Sequence, residues 1–244
     1  MSSENSNLKI VNLLKKSNKE FIESELIPFL RIPSITSNND GIQKAKNFIL
    51  SYIKSFSSEI MELDNGLFIA YVNGNIKERM LIYMMYDTQP VNIRHEWISE
   101  PFGAKIKILP KPLDSLGECI IARGAYNSKT PLICFLNLIK ILKVNDKLPI
   151  SLTLLFDAQE EIGSPTLLKL IENNKKLFKD CSDAYYPSFK QDLAGKSVLK
   201  LGYKGILSLT IKLFTNNKEP HSSFSSMIPN PAVDLISLLN KIYA

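Results

Sequence analysis

Residues 150–164 decide the fold: they read Ile150-Ser-Leu-Thr-Leu-Leu-Phe-Asp157 and continue as Ala158-Gln-Glu-Glu-Ile-Gly-Ser164. The first part is a nearly unbroken apolar run, which predicts a strand covered on both faces. Glu160 and Glu161 follow where this strand ends and a helix is predicted to begin. Because ligands bind outside the carboxyl ends of strands in open α/β sheets, the turn is the first candidate site.

Strand and helix patterns alternate on both sides of this stretch. We therefore predict an α/β domain over residues 1–203, with a mostly parallel mixed sheet and helices on both faces. The pattern changes near Gly202, where residues 204–244 predict the first strand and helix of a separate α+β domain. The strand is expected at Ile206–Leu213 and the helix at Asn230–Tyr243.

Composition excludes several classes of protein. The 244 residues carry a net charge of +6, but the lysines are interleaved with acids and apolar residues, so we expect no nucleic-acid partner. No apolar run is long enough for a signal peptide or a membrane span, so we expect no membrane partner. Three scattered cysteines fit a reducing compartment, and we expect a cytoplasmic protein. Only His95 and His221 are present, so no site of several imidazoles can be built from this chain alone.

Two further polar clusters fall at predicted strand ends. Residues 84–87 follow the strand near Met80, and residues 123–129 precede the long helix that begins near Ser128. Adjacent carboxylates in a strand-to-helix turn, such as Glu160 and Glu161, point apart, so one can hold a metal while the other moves a proton. Acids also simply favour helix N-termini, and that structural interpretation stays open for the pair alone.

Taken together, the clusters resemble the motifs of one di-zinc metallopeptidase family, which includes carnosine dipeptidase, glutamate carboxypeptidase, acetylornithine deacetylase and succinyl-diaminopimelate desuccinylase. The strings that carry the resemblance are Met84-Met85-Tyr86-Asp87-Thr88-Gln89-Pro90 with Trp97 and Pro101-Phe102, then Arg123-Gly124-Ala125-Tyr126-Asn127-Ser128-Lys129-Thr130, Glu160-Glu161-Ile162-Gly163-Ser164, Gly202-Tyr203-Lys204-Gly205, His221-Ser222-Ser223 and Asn230-Pro231-Ala232. The resemblance implies a zinc-dependent catalytic domain over residues 1–203 and the start of a lid domain over residues 204–244.

The resemblance also implies roles for individual residues. Glu161 matches a zinc ligand, Glu160 the catalytic base and Asp87 the acid that steadies a ligand histidine. Met85 stands where that histidine is expected, and Asn127 stands where the family has an aspartate that bridges both zinc ions. The positions considered for a fourth ligand are Asp183, Ser188 and Asp192.

His221 matches a lid histidine that binds substrate in the neighbouring subunit of dimeric members. A thioether suits zinc poorly beside oxygen ligands, and a neutral amide cannot bridge two dications. We therefore expect a degenerate, truncated member in which zinc binding is weak or absent and peptidase or deacylase activity is impaired.

The alternative is an interaction subunit, or one half of a split protein. Under this hypothesis a partner chain supplies the missing C-terminal half, or a homodimer forms through the lid. The substrate cannot be inferred from the sequence.

Overall fold

The structure is a computed structural model that describes residues 2–92, 97–188, 190–191, 196–202, 204–214, 221–224 and 227–243. It divides into two compact units, Met1–Val198 and Leu199–Ala244. The helices of four or more residues and the strands, in chain order, are α1 (Ser2–Phe21), α2 (Ile27–Leu30), α3 (Asn39–Ile53), β1 (Glu59–Glu62), β2 (Phe68–Val72), β3 (Ile76–Met85), β4 (Lys105–Ile108), β5 (Glu118–Ile121), α4 (Lys129–Val144), β6 (Ile150–Asp157), α5 (Leu167–Asn173), β7 (Cys181–Tyr185), β8 (Lys190–Gln191), β9 (Ser197–Val198) and α6 (Pro231–Tyr243). A π-helical turn, Ile22–Leu26, joins α1 to α2.

A five-stranded sheet in the order β1-β2-β6-β3-β7 forms the centre of the first unit. β6 pairs parallel with β3, and β3 pairs parallel with β7, whereas β1–β2 and β2–β6 are antiparallel. The predicted α/β class with a mixed sheet is confirmed. Parallel pairing is restricted to the half around β3, which is the half that carries the candidate site.

Helices cover both faces of this sheet, as predicted. On one face, Leu154 and Phe156 of β6 lie in the main core with buried residues of α2, α3 and α4. On the other face, Leu155 lies in a smaller core against which residues of α5 pack. Because side chains alternate along a strand, covering both faces requires the continuous apolar run that the sequence shows.

Aromatic stacking fixes β2 beside β6. The rings of Phe68 and Phe156, which are directly paired in the strand register, stack with centroids 4.3 Å apart and planes 9° apart. Tyr86 packs at 5.9 Å from Phe68, and its hydroxyl donates a hydrogen bond to the carbonyl of Gly66. This hydrogen bond joins Tyr86, just beyond the end of β3, to Gly66, just before the start of β2.

The second unit contains α6, which confirms the predicted helix. Within its described part, residues 204–214 form no strand, so the predicted strand at Ile206–Leu213 is wrong. An extended segment becomes a strand only by pairing, and these described residues pair with no neighbour. In the part of the chain that the structure describes, no helix combines the length and the apolarity needed to cross a bilayer.

We predict that Gly41→Ala destabilises the protein. Gly41 lies in the first turn of α3 and donates to the side chain of Asn38, the residue that caps the helix, at 3.1 Å. An added Cβ would lie 2.0 Å from the carbonyl oxygen of Pro33. Alanine normally stabilises a helix by about 0.5–1 kcal/mol relative to glycine. Here overpacking should reverse the sign and cost about 1–3 kcal/mol in urea unfolding.

Gln43→Ala, at an exposed position of the same helix, is the control and should change the free energy of unfolding by less than about 0.5 kcal/mol. A Gly41→Ala protein as stable as the parent would contradict the contact with Pro33.

Candidate functional site

The three polar clusters meet at the carboxyl ends of β3 and β6. The parallel register places Met85 level with Asp157. The Ser128 hydroxyl donates to the carbonyl of Met85 at 3.1 Å, which brings in the 123–129 cluster. The turn after β6 joins through the Glu161 N–H, which donates to Oδ2 of Asp87 at 3.1 Å. Segments separated by 30 to 70 residues thus share one edge of the sheet, as the sequence predicts.

Asp87 is fully buried just beyond β3. Its Oδ2 accepts from the Thr36 hydroxyl at 2.8 Å as well as from the Glu161 N–H. Its Oδ1 is buried and has no hydrogen-bond partner in the part of the chain that the structure describes. Burial raises the pKa of this carboxyl to about 6, and the charges of Asp157 and Glu161 add to the rise while the two hydrogen bonds oppose it. One oxygen of this carboxyl is therefore free for a donor that the surroundings do not supply.

By the motif resemblance, Met85 occupies the position of a histidine that would supply such a donor. Its side chain is only 2% exposed, and a thioether has no proton to donate. Asn127 lies exposed in the turn that Ser128 anchors to Met85, and its amide is neutral. The structure thus places the two substituted positions, Met85 and Asn127, at the same edge as Asp87 and Glu161.

Asp157 organises the turn that carries the two glutamates. Its Oδ1 accepts from the backbone N–H of Gln159 at 2.8 Å, and its Oδ2 accepts from the hydroxyls of Ser164 at 2.6 Å and Tyr83 at 2.9 Å. Both oxygens of a fully buried carboxylate are therefore used to close a tight turn, Glu160–Ile162. The serine in the Glu-Glu-Ile-Gly-Ser string has a structural role here.

The side chains of the two glutamates differ in environment. The amide Nε2 of Gln89 donates both to the carbonyl of Glu161 at 2.9 Å and to its carboxylate at 3.1 Å. The pKa of Glu160 is raised, first by burial and then by the nearby charges of Glu161, Asp87 and Asp157. A raised pKa makes a carboxylate a stronger base, which suits the position that the resemblance gives to the general base.

Lys129 is a buried residue at this edge of the sheet, and it contacts Ile32 and Phe29. It is fully buried, its ammonium donates to the carbonyl of Ile32 at 2.7 Å, and it lies 4.5 Å from the centre of the Phe29 ring. Burial lowers the pKa of this amine to about 7. Gly124 leaves room for it, since a Cβ there would lie 2.9 Å from the lysine side chain.

The remaining positions named from the sequence differ in where they lie. Asp183 is exposed and pairs with Met80, five residues before Met85, which is roughly 16 Å away along a strand. Ser188 follows β7 and donates from its N–H to the carbonyl of Tyr186 at 2.9 Å. Asp192 and His95 lie outside the described residues.

His221 belongs to the second unit, where it is exposed and its Nδ1 accepts from the N–H of Ser223 at 3.2 Å. Its contacts within this unit are local and involve no other residue that was named as part of the site.

Two partners of the site were missed from the sequence. Thr36 binds Asp87, and Ser34 donates from its hydroxyl to the carbonyl of Tyr86 at 2.7 Å. Both lie in the loop before α3, about 50 residues upstream, and nothing in the local pattern signals them. Asp157 could have been found, because a lone acid at the end of a buried strand needs several donors.

The donor set does not fit a zinc pair. Among the described residues, no three His, Cys, Asp or Glu side chains converge in a way that could hold a metal ion. Asp87 is turned towards Thr36 and the Glu161 N–H, and Glu161 is bound by Gln89. Zinc sites are built from imidazole, thiolate and carboxylate ligands, and Met85 and Asn127 offer none of these.

Comparison with known proteins agrees with the fold and the motifs. No family model matches the chain. It is 26% identical to the Cys-Gly metallodipeptidase dug1 of Schizosaccharomyces pombe over 259 aligned positions, covering 96% of this chain and 52% of the relative. It is 25% identical to the succinyl-diaminopimelate desuccinylase of Ehrlichia chaffeensis, covering 91% and 55%. The crystal structure of an M20 family metallo-carboxypeptidase from Sulfolobus solfataricus aligns with a TM-score of 0.70 and 30% identity, covering 88% and 48%.

The chain is therefore an α/β protein that is similar in fold and sequence to metallopeptidases. More particularly, it is a relative of the M20 family metallopeptidases, and the resemblance stated from its motifs is confirmed. The chain spans about half the length of the curated relatives that it matches.

We predict that Lys129→Met weakens the pH dependence of stability. Between about pH 7 and pH 10.5 the unfolded chain keeps a proton that the folded Lys129 has released, so the free energy of unfolding should rise with pH. The contribution of one group approaches about 1.4 kcal/mol per pH unit. Methionine keeps the packing on Phe29, and the Ile32 carbonyl still accepts from the Ser34 N–H.

The measurement is urea unfolding at a series of pH values for the parent, Lys129→Met and the exposed control Lys54→Met. If the free energy of unfolding changed with pH by the same amount in all three proteins, Lys129 would be shown to stay charged in the folded chain.

Proposed function

We propose that this chain retains the framework of an M20 metallopeptidase but, on its own, neither holds a zinc pair nor hydrolyses dipeptides or N-acyl amino acids at a useful rate. One observation carries the proposal. Met85, whose thioether is buried, lies two residues before Asp87, and among the described residues the buried Oδ1 of Asp87 has no hydrogen-bond partner. Asp87 supplies the carboxylate that would orient a ligand imidazole, but Met85 stands where the resemblance places that imidazole.

The chemistry at stake is amide hydrolysis. A bound zinc pair would supply a water whose pKa falls towards about 7. Glu160, at the base position, has the raised pKa that proton transfer requires, and Glu161 lies next to it. The loss of even one residue that orients a ligand typically weakens metal binding by about 10–100-fold. Substitution of two ligand positions should weaken it further.

The test is restoration of the ligands. Met85→His with Asn127→Asp gives Asp87 a donor and adds a carboxylate that can bridge metal ions. We expect the parent to retain less than about 0.1 zinc per chain after dialysis, and the double variant to bind zinc at least about tenfold more tightly. Zinc content measured by mass spectrometry and competition with a chelator give both quantities.

Met84→His with Asn127→Asp is the matched control, because Met84 is equally buried but adjacent to the ligand position. It should gain no zinc affinity. A parent chain that holds two zinc ions and turns over a dipeptide would overturn the proposal.

A second candidate function is that of an interaction subunit, and the second unit favours it. Large apolar side chains there are strongly exposed, among them Leu201 at 97%, Ile206 at 95% and Ile236 at 67%. Exposed apolar patches of this extent mark sites of association. The occupant would be a partner chain that completes the fold and the site, or a second copy of this chain. The three free cysteines further support a reducing, cytoplasmic setting.

We expect the purified chain to sediment above the mass of one 27.6 kDa chain as its concentration rises. The exposed apolar face of α6 should drive this, so the triple substitution Ile236→Ser, Leu239→Ser and Ile242→Ser should restore the monomer. Lys241→Gln on the same helix is the control. A parent that is a monomer at every concentration, alone and when co-expressed with the polypeptide encoded directly downstream, would count against this function.

A further inference from the structure

A groove lies on the helical side of the first unit, between the π-helical turn, α3 and α4. Its volume is about 530 Å³, and a smaller cavity of about 240 Å³ adjoins it. The two share Glu25, Tyr52 and Lys140. Ligand pockets in proteins typically measure about 300–1,000 Å³, and π-helical turns occur frequently at functional sites.

Two aromatic side chains, Tyr52 and Phe48, line the groove, and each contacts a neighbouring residue. Tyr52 is buried, and its hydroxyl donates to Oδ1 of Asn137 at 3.4 Å. Phe48 lines the groove and stacks on Phe29, with centroids 5.0 Å apart and planes 15° apart. Burial raises the pKa of Tyr52, and the nearby charge of Glu25 raises it further, so the hydroxyl stays neutral. These two aromatic side chains suit an apolar or aromatic group.

Two side chains of opposite charge, Lys140 and Glu25, lie near Tyr52 and do not form an ion pair with each other. The ammonium of Lys140 lies 5.0 Å from the centre of the Tyr52 ring, and Glu25 lies near enough to affect its hydroxyl. In the described part of the chain the ion pairs are Lys44–Asp40 and Lys46–Glu62, so neither Glu25 nor Lys140 is paired. Both are half-buried. Each charged group is partly removed from water, and a ligand group of opposite charge would replace part of that hydration.

We propose that this groove binds a zwitterion with an apolar side chain, that is, a free α-amino acid or a short peptide. The carboxylate of the ligand binds Lys140, its ammonium binds Glu25, and its side chain lies on Tyr52 and Phe48. Charge-assisted hydrogen bonds to groups that are already partly desolvated give such a ligand its orientation. The groove is separate from the carboxyl-end site: apart from Ile32, whose carbonyl accepts from Lys129, none of its lining residues belongs to that site.

The experiment is titration of the full chain with L-phenylalanine, followed by calorimetry and by NMR of the α3 and α4 amides. Phenylacetate, which has only the carboxylate, and phenethylamine, which has only the ammonium, are the matched ligands. Saturable binding of L-phenylalanine is expected, with each analogue at least about tenfold weaker. Lys140→Gln and Glu25→Gln should each weaken L-phenylalanine binding by about tenfold or more.

Lys147→Gln and Glu23→Gln, which are exposed charges outside the groove, are the control variants and should bind as the parent does. Circular dichroism of every variant checks folding. The proposal fails if L-phenylalanine shows no saturable binding up to 10 mM, if phenylacetate binds as tightly, or if the groove variants bind like the controls. Because no zinc is involved, this outcome is independent of the restoration experiment at Met85 and Asn127.

Discussion

The parallel pairing of β3 with β6 is the constraint on which the site depends. β6 is buried on both faces, and its register with β3 runs from Ile76 opposite Ile150 to Met85 opposite Asp157. The hydrogen-bonded ladder between the two parallel strands holds this register. This register determines which residues lie next to each other where the two strands end. The polar chemistry at this edge is therefore positioned by the apolar core beneath it.

Two buried carboxyls beyond these strands use their oxygens differently. Asp157 has donors on both oxygens and closes the turn of the two glutamates. Asp87 has donors on one oxygen only, and its pKa rises to about 6. A buried carboxyl that lacks a partner lowers its cost by holding its proton. The difference between the two acids thus reflects the hydrogen-bond donors that surround each of them.

The sequence predicted the continuous apolar strand, the three converging clusters and α6, because each is written in a local pattern of burial or in a short motif. It did not reveal Thr36 or Ser34, since their hydrogen bonds to Asp87 and Tyr86 join loops about 50 residues apart. The complete burial of Lys129 was also unforeseen, because lysines are rarely buried unless a partner is near. The strand predicted at Ile206–Leu213 failed for a related reason: an alternating pattern permits a strand, but only a pairing partner forms one.

Hydrogen bonds between described residues join several loops at this edge of the sheet. Ser128 binds the backbone of Met85, the Glu161 N–H binds Asp87, and the Lys129 ammonium binds the Ile32 carbonyl. Each contact joins a different loop to the same edge of the sheet, and none of them uses a side chain that a metal ion would need to bind. These contacts use the backbone of Met85 and no atom of Asn127, so they do not depend on the side chains at these two positions. The packing of the loops and the chemistry available at positions 85 and 127 therefore rest on different atoms, and a substitution there can change the one without the other.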